Sequence, residues 1–463
     1  MERYLDSQAR RDAARRTARG RRLEEALLAA FPDAGDAARP EIEFGRAPGR
    51  VNLIGDHTYY NDGLVMAAAI ELDTWVAARP RRDGLVRVVS LQTPGTAEFW
   101  IDELAARSPG AGVATTGLAA GPGVAAARAG AALSAGPGVA ADAAAPAPAT
   151  TAPIAAWCNH IAAMAWSLHA AGLPVHGFDG VVDSALPRVA GLAWDSALEL
   201  ASAIALLAGE RVVAAPSLAA LAQRAQREFL GLEGGIVGPF ASAAGRAGRA
   251  ILLDCRSMDG RYVVLPPNVR IVVCDTGAPP EPGAPAEPGA LPGRPSVAVF
   301  LDRRAECGRA VALLAEELPT VASLRDLDTA TLRRHRHLLP ETLARRAEHV
   351  VAENERVEAT AAAMAAGNLN EIGRLFAASH ESLRDLFEVG SPALDAMVEI
   401  ALAVPGVVAA RMTGLGFGGC TVNLVREEAA PALAQAIADE YPRRTGLTPR
   451  VYSVAAVDGA GPA

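Results

Sequence analysis

Aromatic side chains make up only 5% of this chain, cysteines number five in 463 residues, and lysine is absent altogether. No apolar run reaches the ~18 residues that a membrane-spanning helix needs. Each shortage excludes something. Cys158, Cys255, Cys274, Cys307 and Cys420 are odd in number, far apart and never in a CxxC pair. That rules out a disulfide framework and a zinc site, and fits reduced thiols in a cytoplasmic protein. With lysine missing and Ala, Gly and Pro abundant, the chain shows the codon bias of a GC-rich genome, which carries little functional meaning. Acids outnumber bases 52 to 44, a net charge of -8. The chain therefore lacks the basic excess of a nucleic-acid binder, and a small-molecule partner is the default expectation. Residues 1–31 hold a basic run without an apolar h-region, interrupted by Glu2, Asp6, Asp12, Glu24 and Glu25. They predict a solvated amphipathic helix rather than a targeting peptide, and no membrane attachment.

What is present is a 51% hydrophobic composition, enough to bury a sizeable core in two domains, placed here at 1–215 and 216–463. From about Ser108 to Pro153 the sequence is almost entirely Ala, Gly, Pro, Ser, Thr and Val, which predicts a disordered insertion at 108–153. A second Pro-rich break, Gly277 to Ser296, predicts a surface loop. Between the breaks, LVMAAAI, ELDTWVAARP and GLVRVVSL predict consecutive strands, as do RAILLDCRSM and RYVVLPPNVRIVVCDTG. SALELASAIALLAG predicts a helix closed by Gly209, and RRAEHVVAENERVEATAAAMAAG a long one ending at Gly367. Strands and helices mix without regular alternation, so the expected class is α+β.

Three stretches concentrate the chemistry. GRVNLIGDHTYYNDG, from Gly49, packs Arg50, Asp56, His57, Asn61 and Asp62 between apolar runs; LPRVAGLAWDSALELA starts at Leu186, and RMTGLGFGGCTVNLV at Arg411. In this order they resemble the three signature motifs of galactokinase, a member of the GHMP sugar and metabolite kinases. Connecting segments are similar too: WCNH at Trp157, LLDCRS at Leu252, RRAEC at Arg303, RAEHVVAENERV at Arg346 and SHESLRD at Ser379. The resemblance spans about Phe44 to Tyr452 apart from the insertion. It implies a two-domain GHMP kinase-like fold with the site in the interdomain cleft, and transfer of the ATP γ-phosphoryl group to the anomeric hydroxyl of galactose, with ATP and Mg as cofactors. Such chemistry needs a phosphate cradle, a metal, a proton acceptor and a stabilising cation.

By this resemblance Arg50 is the retained cation beside the reacting hydroxyl. Asp56, His57, Tyr59, Asn61, Asp62 and Phe300 fall at sugar positions, but Asp56 replaces a longer Glu, Tyr59 replaces an Asp, and Phe300 replaces a Tyr. Asn61, Asp62 and Gly63 alternatively form only a tight turn. The phosphate loop maps to Pro187, Val189, Gly191, Leu192, Ala193, Trp194, Asp195 and Ser196. Val189 stands at a Gly position, and Ala193, Trp194 and Asp195 stand at three serines, so binding of ATP in the family's mode is doubtful. Asp195 is read either as a first-turn helix acid or as a metal ligand. Gln226 occupies the position of a metal-binding Glu, and Gly238 that of the catalytic Asp. The third motif keeps Gly414, Gly416, Gly418 and Gly419, which folding explains as well as activity does. Arg346, His349, Glu353, Asn354 and Arg356 share one helix, read as a solvated or interdomain polar face. Three readings follow. The favoured one is a protein of this fold that has lost or nearly lost catalysis and serves as a binding or regulatory pseudokinase, with a small sugar, a nucleotide-like ligand or a protein as partner. The others are an active kinase of galactose or another small sugar with relocated base and metal ligands, and a structural partner subunit.

Overall fold

The computed structural model describes residues 17–32, 41–105, 157–188, 191–208, 213–278 and 297–463. The predicted insertion, most of the second Pro-rich break, Val189 and Gly209 therefore lie outside the described residues. In chain order the elements are α1 (Ala18–Ala30), β1 (Glu43–Ile54), β2 (Leu64–Pro80), β3 (Leu85–Ser90), β4 (Thr96–Trp100), α2 (Ile101–Ala105), α3 (Asn159–Ala170), β5 (Phe178–Ser184), α4 (Trp194–Leu206), α5 (Ala215–Arg224), α6 (Val237–Ala244), β6 (Arg249–Asp254) and β7 (Gly260–Val264). There follow β8 (Val269–Asp275), α7 (Val297–Glu317), α8 (Thr329–His335), α9 (Glu341–Ala365), α10 (Leu369–Asp385), α11 (Pro392–Ala403), β9 (Val407–Thr413), β10 (Cys420–Arg426), α12 (Ala430–Thr445), β11 (Arg450–Val454) and β12 (Gly461–Pro462).

Two sheets carry the architecture, and the class is α+β as expected. The first runs β12-β1-β2-β5-β3-β4, with β6 and β7 added beyond β2; the second runs β11-β8-β10-β9. All pairings are antiparallel except β3 with β5. The first sheet draws strands from both sides of position 215, because β6, β7 and β12 join it. Its main core packs against α3, α4, α5 and α6, where Ala-rich faces such as Ala197, Ala201 and Ala205 let helix and sheet approach closely. A second cluster joins α7, α9 and α10, and a third lies between the second sheet, α11 and α12.

LVMAAAI and ELDTWVAARP form one continuous strand, β2, and not two. The charged Glu71 reads as a strand end, but a bulge absorbs it: Gly49 faces Ile70 while the preceding Pro48 faces Asp73. The helix expected from Ser196 starts two residues earlier, at Trp194, and ends at Leu206. The long helix α9 begins at Glu341, just after Pro340, and Gly367 follows its end at φ 65°, a conformation glycine adopts without strain. In the N-terminal segment a helix is described only over Ala18–Ala30, where the Thr17 hydroxyl accepts from Gly20 N–H at 2.9 Å. All five cysteines are unpaired. Among the described residues no helix is long and apolar enough to cross a membrane.

Candidate active site

The first motif is the loop from β1 into β2. It bonds to itself: Asn61 Nδ2 donates to the His57 carbonyl at 3.1 Å, Gly63 N–H to the Thr58 carbonyl at 3.0 Å, and Asp62 turns the chain at φ 57°. It is also held from α9, where Gly55 N–H donates to Glu353 Oε1 at 3.0 Å, Leu64 N–H to Asn354 Oδ1 at 2.8 Å, and His349 Nε2 lies 3.2 Å from the Asp56 carbonyl. Of the two alternatives for the polar residues of α9, a solvated or an interdomain face, the solvated one does not hold: Arg346, His349, Glu353 and Asn354 are buried. Burial would raise the Glu353 pKa, but Arg356, His349 and Arg411 together bring it down to about 2.

Asp56 is buried, and its Oδ2 has an ion-pair contact but no hydrogen bond. Its Oδ1 accepts from Asn52 Nδ2 at 2.8 Å and Gly414 N–H at 3.2 Å, and Oδ2 pairs with Arg411 at 2.8 Å. His57 Nε2 lies 3.3 Å from the Leu415 carbonyl, which can only accept, so that nitrogen carries the proton and Nδ1 accepts from Tyr60 Oη at 2.9 Å. Burial lowers the His57 pKa to about 4. Tyr59 lies nearly parallel to Phe300 with ring centroids 6.3 Å apart, and Tyr60 stands edge-on to both. The Tyr59 ring also fills the space over Gly235, where an added Cβ would meet it at 2.7 Å. Asp62 points away from this cluster, half exposed and 3.6 Å from Arg256.

The second motif lies beside β1. Arg50 N–H donates to the Leu192 carbonyl at 3.0 Å and its guanidinium to the Gly191 carbonyl at 2.5 Å. Burial lowers the Arg50 pKa, against the nearby charges of Asp195 and Asp56. Ala193 precedes α4 in a left-handed conformation, φ 58°, without a capping side chain. Asp195 Oδ1 accepts from Ser196 N–H at 2.9 Å, the bond of a first-turn helix acid. Trp194 is buried, with the Arg188 guanidinium 4.7 Å over its ring and His160 edge-on at 5.8 Å.

Opposite this turn stands Gly238, at the start of α6. A Cβ there would lie 2.9 Å from Ser196 Oγ and 3.6 Å from Ala193 Cβ. The structure thus brings Gly238, Ser196 and Ala193 together. Gln226 sits in a widened turn, Ala225–Phe229, that continues α5. Its Nε2 donates to Glu199 Oε2 at 2.8 Å, and Glu199 also meets His160 Nδ1 at 2.8 Å. Burial raises the Glu199 pKa to about 7, although His160 pulls it down. The third motif joins β9 to β10; Gly416, at φ 88°, leaves only 2.3 Å between an added Cβ and the Val389 carbonyl, so close packing alone requires glycine there. Gly414, Gly418 and Gly419 share its positive φ.

Arg411 is absent from the sequence-based site, yet it is the fully buried cation that ties the first motif to the third. The signal was present: a lone charge at a core position of the apolar run VVAARMTG.

With this geometry in place, comparison with known proteins is decisive. Residues 29–80 match the galactokinase galactose-binding signature, and residues 360–443 match the GHMP kinases C-terminal family. The chain is 36% identical over 417 residues to a galactokinase of Roseiflexus sp. (strain RS-1), covering 90% of this chain and 92% of the relative. The chain belongs to the galactokinase family. The human galactokinase is 34% identical over 91% of this chain and 92% of its own length. The galactokinase of Lactococcus lactis complexed with galactose superposes with a TM-score of 0.75 at 29% identity, covering 94% of this chain and 97% of that one. A mevalonate kinase from Methanococcus jannaschii shares the fold, with a TM-score of 0.56 at 14% identity.

Galactokinases use magnesium and ATP, and the residues present here do not fit them. No group of three His, Cys, Asp or Glu side chains able to hold a metal occurs among the described residues. Gln226 turns its amide nitrogen toward the Glu199 carboxylate. Arg50 donates to the Gly191 carbonyl, the indole of Trp194 is buried at the start of α4, and Asp195 puts a carboxylate in the first turn of that helix.

Proposed function

We propose that this galactokinase family member has lost, or nearly lost, phosphoryl transfer to galactose and persists as a binding or regulatory protein, a pseudokinase. One observation carries the reading: the position that would hold the proton acceptor is Gly238, and the Ser196 hydroxyl already lies 2.9 Å from where its Cβ would start. Three features of the surroundings support it. Asp56 is tied to Arg411, Asn52 and Gly414, Tyr59 fills the space over Gly235, and the phosphate-loop positions hold Ala193 and Trp194 with Gln226 at the position of the metal-binding Glu. The substrate position would accept a small sugar, and a protein is the alternative partner. The division into halves at residue 215 and the cytoplasmic location belong to the same proposal.

A second reading has its own support in the retained Arg50 and His57 and the 36% identity to a galactokinase: an active sugar kinase with a relocated base. His57 is a poor base in this geometry, because its unprotonated nitrogen is occupied by Tyr60 and its pKa is depressed to about 4. ADP release from magnesium-ATP, with galactose and a panel of sugars against a no-sugar control, separates the two. No sugar-dependent turnover is expected. Turnover that vanishes in Arg50→Ala would overturn the proposal in favour of the active kinase.

A further inference from the structure

A short strap, residues 230–236, joins the widened turn Ala225–Phe229 to the start of α6 at Val237. Backbone bonds fasten it on the α5 side: Leu230 N–H donates to the Ala225 carbonyl at 3.2 Å and Leu232 N–H to the Gln226 carbonyl at 2.9 Å. On the side of α7 it is held by side chains. Glu233 forms an ion pair with Arg304, and the two side chains are 44% and 42% exposed. The pair joins different cores, because α5 and α6 pack in the main cluster and α7 in the second. Arg303, the preceding residue, is committed instead to Glu306 and to the carbonyls of Phe387 and Glu388. Among the described residues, Arg304 has no ion pair but the one with Glu233.

Tyr59 sits at the same junction. Its ring lies against the strap, where an added Cβ at Gly235 would meet it at 2.7 Å, and is nearly parallel to Phe300 of α7, with 11° between the planes. Phe300 stands about one helical turn before Arg304. The charges of Arg50, Asp56 and Arg304 all act on the Tyr59 hydroxyl, so the ring stands among the groups of the first motif and the charge of α7. An ionic tie and an aromatic one therefore close the strap onto α7, over positions that the resemblance assigns to the sugar.

Neither tie is strong. An exposed ion pair changes an opening equilibrium by about fivefold at most, and an aromatic contact by about tenfold. Ties of that size hold a flap shut while leaving it free to open. They weaken any ligand that needs the open state in proportion to the fraction of molecules that are open.

We propose that this strap is a salt-sensitive gate on the sugar positions: the Glu233–Arg304 pair and the Tyr59–Phe300 stack hold it shut, and a neutral sugar binds only when both part. The inference rests on the reading of this protein as a sugar-binding member of its family, and goes beyond it by naming what regulates that site.

The test titrates galactose into the full chain by calorimetry, at low salt and in about 0.5 M sodium chloride. Galactose carries no charge for salt to screen, so a salt effect on its affinity reports the ion pair. The parent is expected to bind about threefold more tightly at high salt. Glu233→Gln should bind equally at both salt concentrations, match the parent at high salt and keep the parent's melting temperature. Exchanging the charges, Glu233→Arg with Arg304→Glu, should restore weak, salt-sensitive binding, and Tyr59→Ala should gain about tenfold in affinity. Each of four results would overturn the proposal: parent binding that is independent of salt, or absent at both concentrations; Glu233→Gln indistinguishable from the parent at low salt; a charge exchange that leaves affinity high; or Tyr59→Ala binding no more tightly than the parent. Turnover plays no part in this readout. Galactose-dependent ADP release would sink the proposed loss of catalysis and leave the salt signature of the gate in place.

Discussion

The guanidinium of Arg411 lies 2.8 Å from the carboxylate of Asp56, and both side chains are almost completely withdrawn from solvent. Asp56 belongs to the first motif and Arg411 to the strand leading into the third, so this pair fastens the two motifs together. The carboxylate that the family resemblance places at the sugar also ties two motifs of this chain together.

Removing one partner of such a pair leaves an uncompensated buried charge, so Arg411→Ala is expected to cost about 3–5 kcal/mol. Urea denaturation checks this. Arg256→Ala, which breaks partly exposed contacts with Asp326, Ser323 and Asp62, is the control and should stay within about 1 kcal/mol.

Restoring the missing carboxylate alone should fail. Gly238→Asp puts a Cβ within 2.9 Å of Ser196 Oγ, and is expected to destabilise by about 1–3 kcal/mol and to give no galactose-dependent ADP release. Adding Ser196→Ala should recover part of that stability. A double-mutant cycle would show the two positions coupled; strict additivity would mean that they do not share this space.

The second-motif turn makes its own prediction. Replacing Trp194 and Asp195 together by serine removes bulk and negative charge at the entrance of α4, so calorimetry should show tighter magnesium-ATP binding than in the parent chain. An unchanged isotherm would place the obstacle elsewhere, at Gln226 or at the Arg50 contact with Gly191.

Glu199 predicts a pH effect of defined sign. Its pKa rises from 4.5 unfolded to about 7 folded, so its contribution to stability is fully present below about pH 4.5 and is lost as the pH climbs through 7. The shift corresponds to about 3 kcal/mol. Buried histidines such as His349, depressed to about 3, act in the opposite direction over part of this range. The effect is therefore read as the difference between the parent and Glu199→Gln: relative to the variant, the parent should lose stability between pH 5 and 7, by at most about 1.4 kcal/mol per unit. A flat difference would mean that Glu199 is ionised throughout.

Much of this was legible in the residues, because motifs with fixed spacing constrain where the chain must turn. The loops at Gly55–Gly63 and Gly414–Gly419 lie where the sequence put them, and Gly238 does meet the second motif. Less legible was anything decided by long-range pairing. Period and composition gave no reason to join LVMAAAI to ELDTWVAARP through the Glu71 bulge. Charge on the long helix looked like a solvated or interdomain polar face, because a sequence does not display that Glu353 and Asn354 cap the backbone of a loop some 290 positions away. Arg411 was passed over for a related reason: the motif comparison directs attention to positions that changed, and this one matters through what it touches.

The short pairing of β12 with β1 joins Gly461 to Arg46. During synthesis, the strands that open the first sheet leave the ribosome long before the segment that covers the edge of β1, and β6 and β7 arrive in between. For most of translation that sheet carries an open flank of unpaired amides. The nascent chain is therefore more exposed to sticking and to chaperone capture until Gly461 and Pro462 pair with part of that edge.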